Sequence, residues 1–252
     1  MKHIATRRKE RGHTLIELLV ALGVLSLVTA GVFGHLSTAT QRIYTEQVKV
    51  DNFDQARDFV DQFFRDINQI GYPNGRIVTG LSGAGDSRVA VGLVRISPTA
   101  IWFEGDINGS GVVQEVQYKI NGSGTCTLCL QRSAVPKVNG AAGSTYLTTE
   151  SAGTAAPDWG TEVNDLTTTT IFTYFDAGGN QLYPTAEPTG WDIYNNGTSL
   201  ATVKTIHISL TIQNSAVFDP KTGQPIQTSF EGEVSLNNCS LGATLVPPLS
   251  CQ

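Results

Sequence analysis

The chain has 252 residues, 15% of them charged, with a formal net charge of −5 at pH 7. That length supports one sizeable globular core, and the acidic balance, with no Lys/Arg cluster beyond residue 11, excludes the positive surface that nucleic-acid binding needs. The 26 glycines, the abundance of Thr, Ser and Asn and the single Met fit a loop-rich extracellular β protein.

First in chain order is a basic leader with Lys2, Arg7, Arg8, Lys9 and Arg11, followed by Gly12-His13-Thr14-Leu15-Ile16-Glu17. Residues 18–36 carry no formal charge. An apolar helix of that length spans roughly 28 Å, enough for a hydrocarbon core of about 30 Å. The cations hold its N-terminal side in the cytoplasm, so everything after residue 36 is exported. A secretory signal would be cut after the apolar run, where Thr29-Ala30-Gly31 imitates such a site, and a plain signal-anchor would not be cut at all. Neither accounts for Glu17, because a carboxylate at the edge of lipid costs a few kcal/mol unless it is paired. Gly23, Gly31 and Gly34 each cost about 1 kcal/mol of helix stability relative to Ala and read as close-packing or bending points.

The helical pattern continues past the apolar run. Phe53, Ala56, Val60, Phe63, Ile67 and Ile70 recur at alternating spacings of three and four, which marks one face of a helix. Phe59 and Phe64 widen that face, and Asp51, Asp54, Arg57, Asp58, Asp61 and Arg65 occupy the rest. Gly71-Tyr72-Pro73 then stops it. Residues 14–70 make one helix of roughly 85 Å, apolar all round in its first half and along one face in its second. The first half needs lipid or like helices; the second needs its own domain.

Residues 76–252 alternate with period two. The clearest strand is 205–212, with Ile206, Ile208, Leu210 and Ile212 on one side. A second, 229–236, follows a loop containing Asp219-Pro220-Lys221-Thr222-Gly223, and the two read as an antiparallel pair. Further strands are expected at 89–96, 100–104, 112–120 and 170–175, with loops at 139–168 and 184–200. His207 reads as an exposed strand residue.

Asp106-Ile107-Asn108-Gly109-Ser110-Gly111 puts oxygen side chains at Asp106, Asn108 and Ser110 with a glycine after them, as a calcium loop would. Gln117 stands where that loop needs a bidentate Glu, and the alternative is a hairpin turn between two strands. Calcium is the one cofactor candidate. The four cysteines, Cys126, Cys129, Cys239 and Cys251, allow three disulfide connectivities; closeness in sequence favours Cys126–Cys129 and Cys239–Cys251. Cys-Thr-Leu-Cys also invites zinc, but the four histidines supply no partner spacing. No nucleophile–base arrangement, phosphate loop or His-Glu-x-x-His motif occurs, so the sequence reads as non-enzymatic.

The order of residues 1–36, a basic leader, then Gly12-His13-Thr14-Leu15-Ile16-Glu17, then an apolar run, resembles the class III signal of type IV prepilins and pseudopilins. The resemblance implies that the prepilin peptidase cuts after Gly12 and that His13, where the family usually has Phe, becomes an N-methylated first residue. Glu17 matches the family's acidic fifth position, implied to pair with a neighbouring subunit. Loss of the leader removes five cations and Glu10, taking the net charge from −5 to about −9. Phe64-Arg65-Asp66-Ile67-Asn68-Gln69-Ile70-Gly71-Tyr72, residues 106–118 and Phe175-Asp176-Ala177-Gly178-Gly179-Asn180 resemble the PilW/GspJ group of minor pilins. The 229–237 strand also resembles that group's last strand but lacks its usual arginines.

What the resemblance implies is an α+β pilin fold: leader 1–12, transmembrane and filament-core helix 13–36, amphipathic half 37–75, and an exported β-rich domain 76–252. The expected function is a minor pilin-like structural subunit of a type IV pilus, in its tip or initiation complex. The alternatives are a minor pseudopilin of a type II secretion system and a pilus-tip adhesin. Expected partners are other minor and major pilins or pseudopilins, the prepilin peptidase, the inner-membrane assembly platform and membrane lipid, with no nucleic acid. Expected localisation is the bacterial inner membrane with the globular domain in the periplasm, then the cell surface.

Overall fold

A computed structural model describes residues 14–73, 80, 86–121, 128–137, 157–186, 190–193, 195–219 and 221–236. The elements in chain order are α1 (Leu15–Ile67), β1 (Leu93–Ile96), β2 (Ala100–Gly105), β3 (Gln114–Asn121), β4 (Cys129–Pro136), β5 (Gly160–Val163), β6 (Phe172–Phe175), β7 (Gln181–Leu182), β8 (Trp191–Asp192), α2 (Gly197–Ala201), β9 (Thr205–Phe218) and β10 (Pro225–Ser235). The architecture is α+β, consistent with the pilin fold: one long apolar N-terminal helix and two antiparallel sheets.

α1 runs for 53 residues without interruption, roughly 80 Å. It ends at Ile67, three residues before the apolar periodicity does. Gln69 N donates to Asp66 O at 3.0 Å and Ile70 N to Ile67 O at 3.1 Å, so the last turn tightens to i→i+3 bonding. Gly71, at φ +75°, then adopts the left-handed conformation that a helix stop requires. The chain turns directly onto β2: Gly71 N donates to Glu104 O at 2.9 Å, and Asp106 N donates to Tyr72 O at 2.8 Å. Gly105 is at this crossing because any Cβ there would strike the Gln69 carbonyl.

The first sheet has the order β5-β4-β3-β2-β1-β8, the second β10-β9-β6-β7. All pairings are antiparallel, and the β9–β10 ladder extends from Thr205↔Ser235 to Phe218↔Pro225. Alternation sets the inner faces. Ile206, Ile208, Leu210 and Ile212 of β9 are buried, as are Ile101 and Phe103 of β2 and Val116 and Tyr118 of β3. These meet Ala56, Phe59, Val60, Phe63 and Ile67 of α1 in one continuous core. Phe63 is its centre: it contacts Phe59, Phe64, Tyr118 and Phe172 with ring centroids 5.3–6.3 Å apart.

Three features depart from expectation. The 139–168 and 184–200 stretches contain β5, β8 and α2, which tertiary pairing supports although their own sequences are turn-rich. β4 was not foreseen at all, because Gln131, Arg132 and Ser133 break the run of apolar residues. Phe53 lies at the rim of the helix face rather than inside it, tilted against Phe230 at 5.9 Å.

One charged group is carried into the interface. Asp66, almost fully buried, accepts from Tyr118 Oη at 2.6 Å and Arg132 Nε at 2.8 Å on one oxygen, and from Gln62 Nε2 at 2.8 Å on the other. The carboxylate thus fastens α1 to β3 and β4. Burial, and then Asp66 itself, pushes the Tyr118 phenol well above its ordinary range, so Tyr118 stays a neutral donor. Asp66→Asn is expected to lower unfolding stability by about 3 kcal/mol, because it leaves the mostly buried Arg132 without its counter-charge. Denaturant titration of the detergent-solubilised chain reads this out, and an unchanged midpoint would mean that apolar packing alone docks the helix.

Candidate functional site

From residue 14 through 44 every side chain of α1 is exposed, Leu15, Leu19, Leu25, Val28 and Phe33 among them. The β9–β10 turn at Asp219 and Lys221 reaches the helix beside Thr38 and Arg42, so the part before them projects roughly 35 Å, and the helix is long and apolar enough to cross a membrane. Four of its hydroxyls are satisfied within the helix: Ser26 Oγ donates to Gly23 O at 2.8 Å, Thr29 Oγ1 to Leu25 O at 2.7 Å, Thr38 Oγ1 to Gly34 O at 3.0 Å and Thr40 Oγ1 to Leu36 O at 2.9 Å. Such back-bonding removes the cost of bringing a hydroxyl into an apolar surrounding. Glu17, in the first turn, is the one Asp, Glu, Lys or Arg between residues 14 and 41. A Cβ placed on Gly23, Gly31 or Gly34 would meet nothing within 4 Å, so no contact among the described residues requires these glycines.

Burial begins at Thr45 and Val48, where the β9–β10 hairpin reaches the helix. Val48 packs with Val217 and Ile226, Phe53 meets Phe230, and Gly232 lies so close to the helix that a Cβ would come within 2.7 Å of the Phe64 ring. β10 therefore runs alongside α1 in the same direction.

The other sequence-predicted residues are not drawn to this helix. Asp106, Asn108 and Ser110 form the tight turn of the β2–β3 hairpin. Asp106 Oδ1 accepts from Ser110 N at 3.0 Å and Oδ2 from Gly111 N at 2.7 Å, and Asn108 Oδ1 accepts from Ser110 N at 3.1 Å. The oxygens that calcium would use already hold backbone donors, and Gln117 lies inside β3 rather than at the start of a helix. Among the described residues no three His, Cys, Asp or Glu side chains gather as metal ligands. Cys129 opens β4, fully buried and disulfide-bonded. Cys126, Cys239 and Cys251, like Gly12 and His13, lie outside the described residues. His207 is half-buried on the outer face of β9, opposite Glu233.

Residues 7–33 match the family model described as the prokaryotic N-terminal methylation motif. No curated protein and no solved structure matches the chain. The motif spans the segment from Arg7 in the leader into the exposed apolar helix, and it supports a type IV pilin-like protein that is processed by a prepilin peptidase and anchored in a membrane.

A second charged cluster escaped sequence reasoning. Glu104 on β2 and Lys137 just after β4 are both completely buried, with Lys137 Nζ 2.8 Å from Glu104 Oε2. That oxygen also accepts from Val91 N at 2.9 Å, and Nζ donates to Val89 O at 3.1 Å. Glu115 is Glu104's direct cross-strand partner and is equally buried. The signal was faint: one glutamate in each of two adjacent strands, with the lysine 22 positions further on. Burial, reinforced by Glu104, pushes the Glu115 carboxyl up to about 9. Between the unfolded value of 4.5 and the folded value the native state holds the extra proton. Stability therefore falls as pH rises through that window, by up to about 1.4 kcal/mol per pH unit. Glu115→Gln should flatten the slope of melting temperature against pH from about pH 5 to about pH 9. Parallel slopes for variant and wild type would show that Glu115 ionises freely in the fold.

Proposed function

We propose that this protein is a minor pilin-like structural subunit of a type IV pilus, acting in the complex that initiates and tips the filament. The observation that carries the reading is the division of α1. Its first thirty residues are exposed and overlap the methylation motif, while its second half is packed into the folded domain. A chain length of 252 residues adds support for a tip position over a shaft position, since shaft subunits need only a small repeating domain.

In this role the subunit waits in the inner membrane with residues 18–36 in lipid. The assembly platform then lifts it, and the apolar half exchanges lipid for neighbouring helices. The exchange costs little, because lipid tails and helix surfaces are similarly apolar, and close approach at small residues such as Gly23, Gly31 and Gly34 supplies the packing. A head-to-tail contact that does not close into a ring propagates as a helical filament. Glu17 gives the contact its register. Removal of the leader creates a positive amine at His13, four residues before a carboxylate, and opposite charges at low dielectric attract by several kcal/mol before desolvation is subtracted. Pairing with the amine of an adjacent subunit satisfies both charges.

Two measurements test this. N-terminal mass spectrometry of the mature protein should find N-methylated His13 as the first residue; a start at Met1, or one near residue 31, would remove the prepilin reading. Glu17→Ala should leave membrane insertion intact, because it makes the segment more apolar, and should lower incorporation into purified pili about tenfold, the effect of about 1.4 kcal/mol. Equal incorporation of the variant would end the pairing role.

A further inference from the structure

The Glu104–Lys137–Glu115 cluster contains the reactants for a covalent bond. In the first sheet Glu104 faces Glu115 across the β2–β3 ladder, and Lys137 N bonds to Val113 O across the continuation of β3–β4. Residues paired directly, or two apart on neighbouring strands, share one face of a sheet. The three side chains therefore converge on that face, roofed by the Val89–Val91 segment through Lys137 Nζ→Val89 O and Val91 N→Glu104 Oε2. All three are sealed from solvent. With Nζ 2.8 Å from Oε2, the amine is held directly against the Glu104 carboxyl group, the proximity that an intramolecular attack needs. Glu104 Oε1 and both Glu115 carboxyl oxygens are buried without a hydrogen-bond partner among the described residues.

We propose that Lys137 and Glu104 become joined by an intramolecular amide between Nζ and Cδ, with Glu115 relaying the proton. The ammonium–carboxylate pair first exchanges a proton to give neutral amine and carboxylic acid, a step favoured where burial penalises charge. Nζ attacks Cδ while protonated Glu115 donates to the departing oxygen. The N–C bond forms, one C–O bond breaks, and the nitrogen returns a proton to Glu115. Ammonium plus carboxylate becomes amide plus one water, with no oxidant, reductant or external reagent. The raised titration of Glu115 keeps it in the donating form at neutral pH. The product replaces a buried ion pair, expensive to desolvate, with a neutral amide, and the closed site keeps out the water that would hydrolyse it. The link ties β2 to the end of β4 across β3.

Intact mass spectrometry of the chain, purified in detergent with disulfides reduced, should give a mass one water below that calculated from its observed N-terminal residue and N-terminal modification. Tryptic digestion should fail after Lys137 and yield a branched peptide containing Glu104 and Lys137. Glu115→Gln should appear at full, uncondensed mass when harvested alongside wild type, and Lys137→Arg, which keeps the charge but is a poor nucleophile, should do the same. Wild-type chain at full mass, or cleaved normally after Lys137 despite a lost water, overturns the proposal. Glu115→Gln carrying the branched peptide to the wild-type extent overturns the relay. The decisive measurement is on the wild-type chain and needs no variant to fold.

Discussion

The structure depends on one helix meeting two different solvents. The backbone ladder of α1 is continuous over 53 residues, so neither half can be rearranged without the other, yet the first half exposes large aliphatic side chains on every side and the second buries one face from Ala56 to Ile67. Each exposed Leu, Ile, Val or Phe left in water forfeits about 1.5–3 kcal/mol relative to burial, and residues 15–36 repeat that penalty more than a dozen times. The free subunit is therefore stable only where something apolar surrounds this segment. Lipid satisfies that requirement, and in the proposed pilus role like helices satisfy it after assembly. The hydroxyls of Ser26 and Thr29, bonded back into the helix, let both surroundings be equivalent to the protein.

The docked half answers the opposite requirement, since it must hold the domain on a helix that is free at its other end. Packing around Phe59 and Phe63 supplies the attraction, and Asp66, shared among Tyr118, Arg132 and Gln62, supplies the register. Packing tolerates small displacements along the helix, whereas a buried carboxylate with three partners does not. The two kinds of contact therefore divide affinity and position between them.

Much of this was legible in the sequence. The unbroken charge-free run from residue 18 to 36 and the three–four spacing from Phe53 to Ile70 are periodic signals that local sequence carries in full, and the α1 prediction followed from them. The period-two alternation of 205–212 and the turn chemistry of Asp106-Ile107-Asn108-Gly109 located two hairpins for the same reason. What stayed hidden depends on contacts between distant segments. β4 and β5 are strands because β3 offers an edge to β4 and β4 one to β5, not because Gln131-Arg132-Ser133 or Gly160-Thr161-Glu162 favour extension. The charged clusters at Asp66 and at Glu104 combine residues separated by 66 and 33 positions, and no short-range pattern announces such a meeting.

The parallel course of β10 along α1 has a mechanical consequence. The strand touches the helix at Val48, Phe53 and then Phe64 through Ile226, Phe230 and Gly232, a seam of roughly 24 Å measured along the helix. Tension applied to the exposed end of α1, along its axis, loads that seam in shear. Every contact is strained at once, and none can be peeled away ahead of the rest. A hairpin crossing the helix at right angles would yield one residue at a time. The same buried area, laid lengthwise, makes the domain a clasp that resists being stripped from its own shaft.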